Sequence, residues 1–99
     1  MALSLDDRVT MSDDVVYRAL GAEAIVLDLK SGVYFGLNDA GTRIWSLAAE
    51  HDLRTVCRHL AAEFEAASDV IERDVLDLIS QLVDKQLVKV VTLPPRPAQ

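Results

Sequence analysis

The apolar positions of this chain change period part-way along its length. Between residues 23 and 37 they alternate, and from about residue 44 they recur every three to four residues. Alternation marks half-buried strands, and the longer period marks amphipathic helices. Strands therefore come first and helices after. Arg8-Val9-Thr10-Met11 reads as a short opening strand, followed by the polar Ser12-Asp13-Asp14. Val15-Val16-Tyr17-Arg18 continues extended toward a turn near Gly21. Glu23–Leu29 is the clearest strand, with Ile25, Leu27 and Leu29 expected on its core face. Ser31-Gly32 signals a turn. In the next strand Val33, Phe35 and Leu37 share one face, and Tyr34 and Gly36 the other. A glycine inside a strand suggests a bulge or the close approach of another backbone.

Asn38 or Asp39 is placed to cap a first helix whose apolar face holds Ile44, Trp45, Leu47 and Ala48. Asp52 can cap a second, with Leu53, Val56, Cys57, Leu60 and Phe64 at helical spacing. Asp69 with Glu72 resembles a capping box opening a third helix over about residues 70–86. That helix carries one row of Ile71, Val75, Leu78 and Leu82, and a second of Leu76, Ile79 and Val83. So wide an apolar arc serves either burial against two neighbours or burial on one side and a groove on the other. Leu87-Val88-Lys89-Val90-Val91 reads as a last short strand or wing. Residues 1–6 are expected to fray. Pro94, Pro95 and Pro97 make a tail without regular structure. The expectation is an α+β fold: a small three-stranded antiparallel sheet followed by three helices, similar in outline to a winged helix-turn-helix. One domain would cover residues 1–92, with a Pro-rich tail over 93–99.

Composition narrows the function classes. A chain of 99 residues that is 51% hydrophobic can bury one modest core. It has no apolar run long enough to cross a membrane and no basic-then-apolar start of a secretory signal, so a cytoplasmic location is expected. The formal charge of −6 and the lack of a Lys/Arg run speak against nucleic acid as partner.

Candidate chemistry is sparse. His51 and His59 are the two histidines, and His59 and Cys57 cannot share a helical face. No metal motif accompanies them, so neither a metal nor a cofactor is expected. Cys57 fits a small buried hydrophobe better than a nucleophile. Gly32, Gly36 and Gly41 lack phosphate-loop spacing. Asp6, Asp7, Asp13 and Asp14 read as solvated turn residues rather than ligands. Glu72, Asp74, Asp77 and Asp84, among Arg73 and Lys85, form either a solvated face or the rim of a peptide groove. Trp45 and Phe64 are expected to anchor the core. Tyr34, opposite Phe35, points away from the core, toward solvent or a bound segment. What remains distinctive is the strand around Val33–Leu37. At a sheet edge it would offer free N–H and C=O groups to an incoming peptide strand.

Glu23–Leu29, then Ser31-Gly32-Val33-Tyr34-Phe35-Gly36-Leu37-Asn38, Gly41 and Ile44-Trp45 together resemble the PqqD family. Asp74-Val75, Leu78-Ile79, Leu82 and Leu87-Val88 are similar to its closing helix. The likeness runs from about Val15 to Val90. It implies a non-catalytic RiPP recognition element, which binds the leader of a ribosomally made precursor peptide and delivers it to a modifying enzyme. By that resemblance the leader would add a strand along Val33, Tyr34, Phe35 and Gly36. It would face Arg73, Asp74, Asp77, Leu78 and Gln81 of the third helix, or the Leu76 row if the helix is turned otherwise. Members that serve pyrroloquinoline quinone synthesis carry a Leu-Cys-Asp-Gly-like turn after the first helix. Leu47-Ala48-Ala49-Glu50-His51-Asp52 stands there instead. The chain is more similar to the stand-alone leader-binding protein of lasso-peptide biosynthesis, whose partner would be a leader peptidase. The competing readings are a winged-helix DNA-binding regulator and a small antitoxin-like interaction module.

Overall fold

The computed structural model describes residues 3–91. The Pro-rich tail expected over 93–99, residue 92 and the first two residues lie outside them. Five strands and three helices follow in the order β1 (Arg8–Met11), β2 (Val15–Leu20), β3 (Glu23–Asp28), β4 (Tyr34–Leu37), α1 (Asp39–Ala48), α2 (Leu53–Phe64), α3 (Ser68–Asp84) and β5 (Val88–Val91). β2, β3 and β4 form an antiparallel sheet in that order, so β4 is an edge strand. The expected wing is β5, which pairs antiparallel with β1 in a separate two-stranded ribbon.

The sheet packs one face on the helices, and that face is not the one expected for β3. Ala24 and Val26 are buried, Ile25 and Leu27 are half-buried, and Leu29 is exposed. Both faces of this strand are apolar, so alternation alone could not choose between them. The register chooses: Val26 pairs with Phe35 and Ala24 with Leu37. Directly paired residues point to the same side of a sheet. Leu37 must point inward because α1 begins two residues later. Tyr17, on the same face of β2, stacks on Trp45 of α1 with ring centroids 5.9 Å apart and planes 7° from parallel. Trp45 is therefore half-buried and ties sheet to helix. Phe64 does not anchor the core as expected but is 52% exposed at the end of α2.

Each helix boundary has a local cause. The Asn38 side chain accepts the Gly41 N–H at 2.7 Å and caps α1. Asp52 accepts the Thr55 N–H at 2.8 Å and caps α2. The first two N–H groups of α2 find partners elsewhere: Leu53 donates to the Asp7 carbonyl at 3.0 Å and Arg54 to the Leu5 carbonyl at 2.8 Å. With Leu3 and Leu5 packed against the core and Arg54 paired to Asp6 at 3.1 Å, residues 3–7 are pinned rather than frayed. Sequence could not show this, because the contact lies some 48 residues away in the chain.

The capping box expected at Asp69 and Glu72 does not form. α3 starts earlier, with Ala67 at the N-cap and no side-chain cap, and Asp69 sits inside the first turn. There its charge still complements the helix dipole. At the other end Gln86 takes φ 62°, its N–H donates to Val83 O and Leu87 N–H donates to Leu82 O. These are the two bonds of a Schellman motif. The turn drives Leu87 fully into the core and starts β5. Val75, Ile79 and Leu82 bury beside Val26, Leu53, Val56 and Leu87, and among the described residues no polar or charged one is buried.

Hydrogen bonding from Thr55 holds the Asp52 carboxyl below the usual carboxylate range. A carboxylate with a depressed folded-state pKa stabilises above its unfolded pKa and loses that contribution as pH falls through the folded value. Asp52→Ala is expected to lower stability by about 1 kcal/mol at neutral pH. The gap to wild type should narrow in urea titrations below about pH 4.

Candidate functional site

β4 reaches α1 with a single residue between them. Gly41, in the first turn of α1, is buried, and a Cβ there would lie 3.2 Å from Asn38 Oδ1, 3.3 Å from Leu37 Cδ2 and 3.5 Å from Leu78 Cδ2. Strand, helix start and α3 thus meet at a point where only glycine fits without displacement. Beside that contact β4, the start of α1 and α3 border a groove of about 440 Å³. Phe35, Leu37, Ile44 and Leu78 supply its apolar lining, and Asn38, Asp74, Asp77 and Gln81 its polar groups.

The free edge of β4 has a definite polarity. The Asp28 N–H donates to Val33 O at 2.8 Å, and the Leu29 N–H donates to Asp14 O at 2.9 Å. In an antiparallel ladder, residues that exchange bonds alternate with those that do not. Even-numbered residues of β3 therefore bond to β4, so Val33, Phe35 and Leu37 direct their backbone groups inward. Tyr34 and Gly36 direct theirs outward, along the open edge. Pairing is continuous from Tyr34 to Leu37, so Gly36 marks no bulge. A Cβ at Gly36 would meet nothing within 4 Å.

The sequence-derived site residues separate into groups. Phe35 and Gly36 line the groove from the strand side, and Asp74, Asp77, Leu78 and Gln81 from the helix side. Tyr34 carries its ring on the outer face of the sheet, 69% exposed and paired with Leu27. Val33 lies just before β4 and is half-buried. Arg73 is exposed, and Leu76 packs half-buried against the core; neither lines the groove. The two apolar rows of α3 also exchange a member: Ile79 is in the core, and Leu78 faces the groove. Asn38, Ala40, Gly41 and Ile44 complete the wall and were not expected there. Their signal was the direct junction of strand and cap, which had to bring α1 alongside β4.

Electrostatically the groove is acidic. Among the described residues Asp74 and Asp77 have no ion-pair partner, whereas Arg43 is engaged by Glu63 and Arg54 by Asp6. No group of three His, Cys, Asp or Glu side chains is close enough to hold a metal among the described residues. His51 and His59 stack with centroids 5.0 Å apart. Burial pushes the Cys57 thiol up, and the charge of Glu72 adds to this. The arrangement is that of a binding cleft: an apolar trough, two free carboxylates and an unpaired strand edge.

Residues 23–88 match the family described as coenzyme PQQ synthesis protein D (PqqD). The chain belongs to the PqqD family. Among solved structures, TbiB1 in complex with the TbiA(beta) leader peptide is similar at 34% identity. The match covers 81% of this chain and 94% of that one, with a TM-score of 0.76. Lasso peptide synthetase B1 complexed with the leader peptide is 23% identical and has the same fold. There the match covers 83% of this chain and 98% of that one, with a TM-score of 0.77. Comparison with curated proteins gives no match. This PqqD-family chain has no helix among its described residues that is long and apolar enough to cross a membrane.

Because the Gly36 side-chain position is open, Gly36→Ala should fold as wild type does. It is expected to be as stable or up to about 1 kcal/mol more stable in denaturant titration. A loss above that size would mean the β4 edge is packed against something.

Proposed function

We propose that this protein binds the leader of a ribosomally made precursor peptide as a fourth strand on β4 and delivers it to a leader peptidase or other modifying enzyme of lasso-peptide biosynthesis. The observation that carries the reading is the open β4 edge beside an apolar, acidic groove. It is supported by the likeness to TbiB1, whose structure holds a leader peptide. The protein acts by binding and needs no catalytic group of its own.

The energetics are those of a disordered peptide that orders on docking. Backbone pairing at Tyr34 and Gly36 sets register and contributes about 0.5–1.5 kcal/mol per hydrogen bond. Ordering the peptide offsets part of that. Selectivity then comes from leader side chains opposite Phe35 and Leu37, which point into the groove. Each apolar side chain fully buried there contributes roughly 1.5–3 kcal/mol. Two such anchors and several hydrogen bonds reach the roughly −8 kcal/mol of micromolar binding. Asp74 and Asp77 favour a basic leader residue.

Pyrroloquinoline quinone synthesis is the second reading, favoured by the description of the matching family. It predicts binding of a quinone-precursor leader instead. The DNA-binding reading would need α3 to present cations to phosphate, whereas its exposed groove face presents Asp74 and Asp77.

A fluorescein-labelled leader peptide of a lasso-peptide precursor from the same organism should bind with a dissociation constant at or below micromolar in anisotropy titrations. The Gly36 N–H faces the open edge, so Gly36→Pro removes a docking donor without taking a bond from the β3–β4 ladder. The variant should keep the wild-type circular dichroism and lose at least about tenfold in affinity. Unchanged affinity in the folded variant would rule out docking on β4. Asp74→Asn with Asp77→Asn should weaken a leader carrying a basic residue and flatten its salt dependence, because exposed charges are screened within about 10 Å at 0.1 M salt.

A further inference from the structure

β4 is not the only strand of its sheet with a free side. β2 pairs with β3 alone, so its far side is a second open edge. The Leu29 N–H donates to Asp14 O, in register with the β2–β3 ladder. Odd-numbered residues of β3 therefore bond to β2, opposite Val16, Arg18 and Leu20, and these three direct their backbone groups inward. Val15, Tyr17 and Ala19 direct theirs outward. The strand has no lysine, proline or bulge of the kind that blunts an edge. It is also uncovered: Val16 is 41% and Leu20 56% exposed, and Arg18 and Ala19, on opposite faces, are exposed as well. β4 differs because α3 stands beside it. Its groove admits a bare strand, whereas a strand carrying its own helices would meet α3.

We propose that β2 is a self-pairing edge: a second copy of this chain adds its own β2 antiparallel to it, about a two-fold axis at Tyr17. The side chains of this register suit a copy. Tyr17 faces Tyr17 of the second copy on the helix side of the sheet, extending the stack that already joins Tyr17 to Trp45 at 5.9 Å. Val15 faces Ala19 of the second copy, a larger side chain against a small one. On the outer face Val16 faces Arg18 of the second copy. Arg18, the one charged side chain of β2, also reaches diagonally to Asp14 of the second copy. The axis joins two three-stranded sheets into one and leaves the two β4 edges at its far ends. Leader docking and self-pairing are therefore separate events on separate edges.

Sedimentation velocity of the whole chain tests this. One strand pairing buries less than the roughly 1,600 Å² of a standard interface, so the dimer should form with a dissociation constant of about 100 µM. Ala19→Pro removes a donor from the open edge without taking a bond from the β2–β3 ladder. The variant should keep the wild-type circular dichroism and leader affinity and stay monomeric. A cysteine pair reads the register without relying on that variant. Position 16 of one copy and position 18 of the other form a non-hydrogen-bonded pair with Cα atoms about 4.5 Å apart, within disulfide range. Val16→Cys and Arg18→Cys chains mixed under mild oxidation should give a disulfide-linked heterodimer, and each alone should not. The native Cys57 is buried and does not compete. Wild-type protein that stays monomeric up to about 1 mM would overturn self-pairing. Equal cross-linking of either variant with itself would overturn the axis at Tyr17. A dimer dissociated by a saturating leader would place the contact on β4 and overturn pairing through β2.

Discussion

The contact among Leu37, Gly41 and Leu78 sets the spacing on which the remaining geometry depends. β4 passes into α1 through the single cap residue Asn38, so the strand cannot drift from the helix that follows it. Gly41 then lets α3 come within van der Waals reach of that junction, with Leu78 about 3.5 Å from where a Cβ would stand. Together these fix how far the wall of α3 stands from the open edge. A larger residue at position 41 would push Leu78 away and open the trough, while loss of the Asn38 cap would loosen the hinge between its two walls.

The remainder of the molecule holds that spacing. α3 is fixed from behind by Val75, Ile79 and Leu82 and at its end by the Schellman turn that buries Leu87. α2 is held at its start by two separate pieces of chain: its own Asp52, and the N-terminal segment through the carbonyls of Leu5 and Asp7. The Arg43–Glu63 pair joins α1 to α2 with a shortest separation of 2.6 Å. Such a partly exposed pair adds little stability. The burden falls on the apolar core, which among the described residues contains no buried polar or charged side chain that would need a partner.

Much of this was legible in the sequence where one signal stood alone. The change of period from two to about 3.6 gave the order of elements, and Asn38 and Asp52 gave two helix starts. Legibility failed where two solutions were equally apolar. β3 offers Ala24 and Val26 on one side and Ile25, Leu27 and Leu29 on the other, and only pairing with β4 decides between them. On α3, Leu78 and Ile79 are adjacent and alike, so which one faces the groove depends on helix rotation against the sheet. Phe64 misled because large aromatics are usually core residues. The pinning of residues 3–7 was invisible, since it depends on carbonyls, which every residue has. On the candidate site, the resemblance named both walls, but the Arg73 and Leu76 sides of the helix could be separated from the Asp74–Gln81 side only in three dimensions.

The alternation of backbone direction along β4 has a consequence for any peptide paired with it. Tyr34 and Gly36 turn their donors and acceptors outward, while Phe35 and Leu37 turn theirs inward. A paired chain is consequently read in steps of two, its residues falling by turns into the trough or onto the outer sheet face beside Tyr34. The grammar of recognition is then one of parity. Insertion of a single residue between two anchors would send the second to the wrong face, whereas insertion of two would keep the face and change only the reach. Leader sequences that have diverged in length while keeping their odd or even spacing would remain readable by the same edge.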